Sequence, residues 1–335
     1  MRIIEEHLKG PFYNSRIFSE YFGGYRIVVA DIESTGLSPK NSFVFLGGLI
    51  AEEGGDRIVR QFFAESQEEE AALLKQYSSA LAEYDVIVTY NGDSFDIPFL
   101  SKRMKKYGLD SGPLEKMYSL DMYRVIRNHS HLKKLLPDLK QKTVEAYLGD
   151  SVERKDRISG KDTAEYYLRM QSSGMPLQKE QMADDIILHN RDDVVLLSDM
   201  MRIIRNLDLH KILFSEGVPL TAGDRRMIIT GTSVGKNEIK AKGLFSGPVA
   251  DYSHYGECVN LQVSRRKRTA EIQVQLEQVD GYLVADVRRM GIDDGAIREL
   301  GGYESGYLIV KDKSGRVMYH EINQLLACIA AAVLQ

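Results

Sequence analysis

The chain has 335 residues, of which 43% are hydrophobic and 27% charged, with a formal net charge of −4. That length supports about two domains, each with a substantial core, and the acidic balance argues against a generic basic nucleic-acid binder. The two cysteines, Cys258 and Cys328, exclude a disulfide framework and give no zinc spacing.

The first predicted element is a strand near 26–31. In RIVVADIESTGL (26–37) the run Ile27-Val28-Val29-Ala30 delivers Asp31 and, two residues later, Glu33. Residues i and i+2 of a strand share a face, so both carboxylates can point at one spot before Ser34, Thr35 and Gly36 turn the chain. Two like charges about 4 Å apart repel by roughly 4 kcal/mol at an effective dielectric near 20. Either a cation sits there or one acid is protonated. Strands near 42–52 and 56–64 and a helix near 67–82 follow.

A fourth strand, near 85–89, opens VIVTYNGDSFDIPFL (86–100) and leads into a helix near 94–107. Asp96 falls early in that helix. Asp93 or Ser94 is expected to cap it, since such side chains accept hydrogen bonds from the first unpaired amides. A strand near 117–122 ends at Asp121, which is either an ordinary strand-end acid or a neighbour of the site. A helix is expected near 140–148, and the polar, turn-rich stretch 150–182 is expected to hold short helices and mobile loops. The next helix, near 183–206, contains DDIILHNRDDVVLLSDMMRII (184–204), where His189 and Asp193, four residues apart, share a face. By periodicity alone Asp192 is nearly as well placed as Asp193.

Together DIESTGL, YNGDSFDIPFL and HNRDD, in that order, resemble the three motifs of the DnaQ-like, or DEDD, superfamily of 3′-5′ exonucleases, over roughly residues 20–206. The resemblance is greatest to a bacterial branch of predicted ribonuclease-H-like proteins, whose members carry an asparagine where Asn190 stands. It implies an α/β ribonuclease-H-like fold, a mixed sheet flanked by helices. It also implies that Asp193, rather than Asp192, joins Asp31, Glu33 and Asp96 as a metal ligand. One feature departs from the family: a histidine stands four residues before the aspartate, where the family has either a tyrosine at that spacing or a histidine five before.

The activity implied is 3′-5′ exonucleolytic hydrolysis of phosphodiester bonds at single-stranded DNA or RNA 3′ ends. All-oxygen ligands favour two Mg²⁺ or Mn²⁺ ions, with Asp31 bridging them and His189 orienting or deprotonating the water. Thr35, Gly36 and Leu37 are the expected contacts of the terminal nucleotide, with Asn91 and Phe95 as further contacts of the strand. The alternatives are a structure-selective endonuclease on the same fold and an inactive nucleic-acid-binding module.

Residues 102–142 carry eleven Lys or Arg against four acids, a local +7 read either as a solvated helix face or as a phosphate track. Residues 1–208 are expected to form the exonuclease domain and 209–335 a smaller β-rich accessory domain of unknown role. In the latter, alternating runs at 250–263, 268–277 and 281–288 suggest an antiparallel sheet, Arg265-Arg266-Lys267-Arg268 a hairpin tip, and 321–334 a closing helix. GTSVGK (231–236) fails as a phosphate loop, because its glycine spacing is one residue short and Asn237 replaces the required hydroxyl. Charge in MRIIEEHLKG argues against a signal peptide and LLACIAAAVL is too short to span a bilayer, so a cytoplasmic protein without membrane contacts is expected.

Overall fold

A computed structural model describes residues 1–149, 154–156, 158–222 and 225–334. The chain divides into two compact units, Met1–Leu207 and Asp208–Gln335.

The first unit is built on six strands: β1 (Arg2–Leu8), β2 (Ile27–Ser34), β3 (Val44–Glu53), β4 (Asp56–Phe63), β5 (Val86–Thr89) and β6 (Tyr118–Asp121). Their order is β1-β4-β3-β2-β5-β6. The first four pair antiparallel, and β5 and β6 run parallel to β2. The sheet is therefore mixed, as expected. The edge strand β1 escaped the sequence reading because its outward face mixes Ile3 with Glu5 and His7, so it lacks a clean alternation.

Nine helices flank or edge this sheet among the described residues: α1 (Arg16–Phe22), α2 (Glu70–Leu81), α3 (Asp96–Lys106), α4 (Gly112–Lys116), α5 (Met122–His129), α6 (Leu132–Leu135), α7 (Gln141–Leu148), α8 (Gly160–Ser172) and α9 (Pro176–Met200). Strand alternation divides the core. Val28, Ala30 and Ile32 face one way and pack with Leu73, Tyr77, Phe99 and Leu100 of α2 and α3. Phe45, Leu46 and Phe63 pack on the other side with Tyr167, Met170, Ala183 and Ile186 of α8 and α9. Asp31 and Glu33 alternate with Ile32, so they open toward α8 and α9.

Two expectations need correction here. The stretch 150–182 holds a 13-residue helix, α8, with a firm start: the Ser159 amide and hydroxyl donate to the Asp162 carboxylate at 2.9 and 2.7 Å. Tyr167 stacks on Phe45 with ring centroids 4.2 Å apart; this long-range packing is what the polar local sequence concealed. Residues 150–153 and 157 lie outside the described set. The helix predicted from 183 begins at Pro176, a residue suited to a first turn, and ends at Met200, with a 3₁₀ segment over Met201–Asn206.

The second unit begins with α10 (Leu209–Glu216) and holds two antiparallel sheets. One has six strands, β7 (Val218–Ala222), β8 (Arg225–Val234), β9 (Glu238–Phe245), β10 (Tyr252–Tyr255), β11 (Val259–Ser264) and β12 (Thr269–Gln275). The other has four, β13 (Glu277–Val279), β14 (Tyr282–Asp286), β15 (Tyr303–Glu304) and β16 (Tyr307–Lys311), with α11 (Gly295–Arg298) between β14 and β15. The run at 250–263 is thus two strands, and 265–268 is the β11–β12 turn. GTSVGK closes β8 and turns toward β9, with no helix after it. The final helix, α12 (Tyr319–Leu334), buries Ile322, Leu325, Leu326 and Ile329. No helix among the described residues is long and apolar enough to cross a membrane.

Candidate active site

Strand β2 sets the site. Asp31 lies opposite Gly48 of β3, and Glu33 opposite Leu46. The missing side chain at Gly48 makes room for Asn190, whose Nδ2 donates to Asp31 Oδ2 at 2.9 Å. Asn190 Oδ1 in turn accepts from Gln61 Nε2 at 3.0 Å, which fixes the amide's orientation. A Cβ at Gly48 would sit 2.0 Å from Asn190 Oδ1, and that amide is held at both ends, by Gln61 and by Asp31. Gly48→Ala is therefore expected to destabilise the first unit by about 1–3 kcal/mol, measured as a lower urea midpoint. An unchanged midpoint would contradict this packing.

Asp96 comes from the other direction, at the start of α3. Its Oδ1 accepts the Ile32 amide at 3.2 Å, tying the helix to the strand between the two β2 acids. The expected cap is not the one observed: Phe95 occupies that position, and Asp93 instead accepts from Ser119 Oγ and Arg124 Nη1, both at 2.6 Å. Asp121 caps α5 through the Tyr123 amide (3.0 Å) and also receives the amides of Asn91 (2.8 Å) and Asp93 (3.2 Å). It therefore shapes the loop that presents Asp96. Asn91 adopts φ +65°, the left-handed region that asparagine tolerates.

Helix α9 supplies the rest. His189, Asp193 and Glu33 each place one ligand atom so that all three lie within 4.8 Å of one another. His189 Nε2 is 3.2 Å from Asp193 Oδ2 and 3.7 Å from Glu33 Oε1. Periodicity left Asp192 and Asp193 unresolved; the structure separates them. Asp192 faces away and accepts the backbone amides of Lys155 (2.6 Å) and Asp156 (2.9 Å), while Asp193 faces the β2 acids.

Three contributors were missed by the sequence reading. Thr163 of α8 donates its hydroxyl to Glu33 Oε2 at 2.8 Å. Arg154 pairs with Asp193, and also with Glu145 at 2.7 Å. Asp156 reaches His189 Nδ1. Only the charged run Arg154-Lys155-Asp156 could have signalled the last two, and nothing local marked its distant partners.

The proposed nucleotide contacts divide. Leu37 is 85% exposed just beyond the strand end. Gly36 is packed close to Ser42, whose Oγ would lie 2.8 Å from an added Cβ. Thr35 gives its amide to the Phe43 carbonyl (3.0 Å) and accepts the Phe43 amide on Oγ1 (3.2 Å), so both groups brace the loop. Phe95 is half-buried against Phe99 at 5.3 Å between ring centroids. In the basic island, Arg103 is not on the surface: it is 1% exposed and paired with Glu70.

Asp31, Glu33 and Asp96 resist ionisation in this setting. Burial raises the Asp31 carboxyl well above its ordinary range, and the charges of Asp96, Asp193 and Glu33 add to it. Burial also raises Glu33, followed by the Asp193 charge, with the Thr163 hydroxyl opposing. Asp96 is pushed up to about 7, again chiefly by burial, against the Ile32 amide. A divalent cation fits such a donor set, which is all oxygen and strained by its own negative charge.

Asp96 holds its proton more tightly in the folded chain than in the unfolded one, so its contribution to stability is complete below the ordinary carboxylate range. It is lost as pH rises toward about 7. A cation bound by the ionised carboxylates offsets that loss. The gain in melting temperature from Mn²⁺ over EDTA is therefore expected to grow from pH 5 to pH 8; a gain independent of pH would contradict the assignment.

Residues 28–205 match the sequence profile of the RNase H superfamily. Among curated proteins, the chain is similar to a DNA polymerase of Methanocaldococcus jannaschii, 39% identical over 77 residues, covering 22% of this chain and 5% of the polymerase. It is also similar to a DNA polymerase of Pyrococcus glycovorans, 43% identical over 49 residues, covering 14% and 6%. The chain thus spans about a twentieth of the length of these relatives. Similar solved structures include the family B DNA polymerase of Pyrobaculum calidifontis (TM-score 0.40, 17% identity, 53% of this chain and 24% of that one). Another is exonuclease I (TM-score 0.39, 12% identity, 64% and 54%). With more than half of its length matched by that profile, the chain belongs to the RNase H superfamily.

Proposed function

We propose that the chain is a two-metal-ion 3′-5′ exonuclease acting on single-stranded nucleic-acid ends. The observation that carries this reading is the convergence of Asp31, Glu33, Asp96 and Asp193 from three separated segments on one spot, where Glu33 and Asp96 are buried and Asp31 and Asp193 half-buried. A binding module gains nothing from negative charge where a phosphate must approach. The curated relatives, DNA polymerases, agree with a nucleic-acid substrate.

Asp31, Glu33, Asp96 and Asp193 would hold Mg²⁺ or Mn²⁺. When bound, such ions offset charge developing on the scissile phosphate and make water acidic enough to attack near neutral pH. The chain's own groups do the remaining work. His189 Nε2, turned toward Glu33 and Asp193, takes a proton from the attacking water. The water oxygen bonds to phosphorus as the bond from phosphorus to the 3′ oxygen breaks, and solvent protonates the departing oxygen. Asn190 and Thr163 fix the rotamers of Asp31 and Glu33 through single hydrogen bonds. Leu37 packs against the terminal base, the Gly36 backbone approaches its sugar, and Thr35 holds this loop in place. Asn91 and Phe95 shape the wall of the strand's path.

A 5′-labelled single strand and a closed circle of the same sequence, incubated with Mn²⁺ or Mg²⁺, test the reading. Stepwise shortening of the linear strand with the circle intact is expected. Cutting of the circle would favour an endonuclease, and no cleavage of either would favour a binding module.

A further inference from the structure

His189 is buried, and its imidazole lies between two sets of carboxylates. Its Nε2 faces Asp193 and Glu33. Its Nδ1 meets Asp156, which belongs to neither β2 nor α9 and stands outside the four-acid cluster. Which nitrogen of an imidazole carries the hydrogen is set by the partner of the other. An ionised carboxylate can only accept, so beside Asp156 a hydrogen belongs on Nδ1; Nε2 faces the acids that would hold the metal ions, and with those oxygens engaged it is the atom presented to the site.

Asp156 is itself held firmly. Its Oδ2 receives Lys142 Nζ at 3.0 Å and Arg154 Nη1 at 3.1 Å. Although burial works against it, Lys142, His189 and Arg154 together keep its carboxyl below the usual range. Its backbone amide, with that of Lys155, is bound by Asp192 Oδ2. Consecutive residues of α9 therefore do two jobs: Asp193 faces the acids, and Asp192 clamps the segment that carries Asp156.

This arrangement addresses the unusual spacing of the third motif. With only three intervening residues, His189 stacks directly against Asp193 on one helix face, and its side chain needs an outside partner to fix ring and tautomer. We propose that Asp156 is the positioning residue of His189: it holds the Nδ1-protonated ring so that Nε2 accepts the proton of the attacking water. The proposal rests on the hydrolase reading and on His189 acting as its base.

The test uses the full chain with Asp156→Asn, Asp156→Glu, His189→Ala and the Asp156→Asn/His189→Ala double variant. With Mn²⁺ and a labelled oligonucleotide, Asp156→Asn is expected to lower kcat about a hundredfold or more with KM little changed. Asp156→Glu is expected to recover part of that loss, and Asp156→Asn to add nothing once His189 is alanine. Independently of activity, nitrogen-15 NMR of histidine-labelled, metal-free protein is expected to show a proton on His189 Nδ1 in the wild type and its loss in Asp156→Asn. A kcat for Asp156→Asn equal to wild type, additive losses in the double variant, or a wild-type ring without an Nδ1 proton would each overturn the proposal. Should Asp156→Asn fail to fold, Asp156→Glu and the wild-type spectrum still decide. A wild type that cleaves nothing while its spectrum shows the Nδ1 proton held by Asp156 would instead defeat the hydrolase reading.

Discussion

Asp31→Ala is expected to lower the rate of phosphodiester hydrolysis by at least about a thousandfold, or roughly 4 kcal/mol of barrier. Asp31 is singled out by position. Beyond burial, its carboxyl feels the charges of Asp96, Asp193 and Glu33, whereas at Glu33 burial is followed by the Asp193 charge, the opposing Thr163 hydroxyl and only then the Asp96 charge. Removing Asp31 takes away the acid that links the α3 side of the site to the α9 side. The same substitution relieves repulsion among buried charges, so in EDTA the variant is expected to melt no lower than wild type, while losing most of the stabilisation by Mn²⁺. Single-turnover rates and paired melting curves check both halves. A variant that is inactive and also melts well below wild type in EDTA would mean that Asp31 is structural.

The largest effect on stability is expected at Arg103. Its Nε donates to Glu70 Oε1 at 2.7 Å, Nη2 to Glu70 Oε2, and Nη1 to the Pro39 carbonyl at 2.9 Å. Glu70 is fully buried and also accepts the Val44 amide (2.9 Å) and the Tyr107 hydroxyl (2.7 Å). The pair therefore joins α2 and α3 to the loop between β2 and β3, which carries Gly36 and Leu37. Arg103→Ala would leave an unpaired carboxylate in the core, at a cost of about 3–5 kcal/mol. In a unit of this size that corresponds to a fall in melting temperature on the order of 10 °C. Replacing both partners, as Arg103→Met with Glu70→Leu, is expected to recover a large part, because no charge is then stranded. Equal melting of the single and double variants would contradict this account.

Arg103 also shows where local sequence stops being informative. Within Lys102-Arg103-Met104-Lys105-Lys106 every cation looks like surface charge, and only the partner Glu70, 33 residues earlier, reveals that one is core. The basic island is further reduced by pairs such as Arg124 with Asp93 and Lys142 with Asp156. Asp31 and Glu33, by contrast, were legible because strand alternation fixes their common face locally. The four-residue spacing of a helix put His189 and Asp193 on one face but left Asp192 nearly as well placed, and only the family resemblance chose Asp193. The strand-turn-helix pattern around Asn91-Gly92 placed Asp96 early in its helix, and its role in the site came from the family resemblance. Arg154, Asp156 and Thr163 needed tertiary contacts that no local period encodes, and so did the burial of Tyr167 that makes α8 a helix of the core. In the second unit, β7, β8 and β9 went unread, because their alternation is mixed with glycines and exposed apolar residues such as Leu244.

Calorimetric titration of the metal-free full chain with Mn²⁺ tests the central claim most directly. Two ions bound per wild-type chain are expected, with binding weakened by at least an order of magnitude in Asp31→Ala and in Asp193→Asn. Wild-type binding no tighter than in these variants would contradict it.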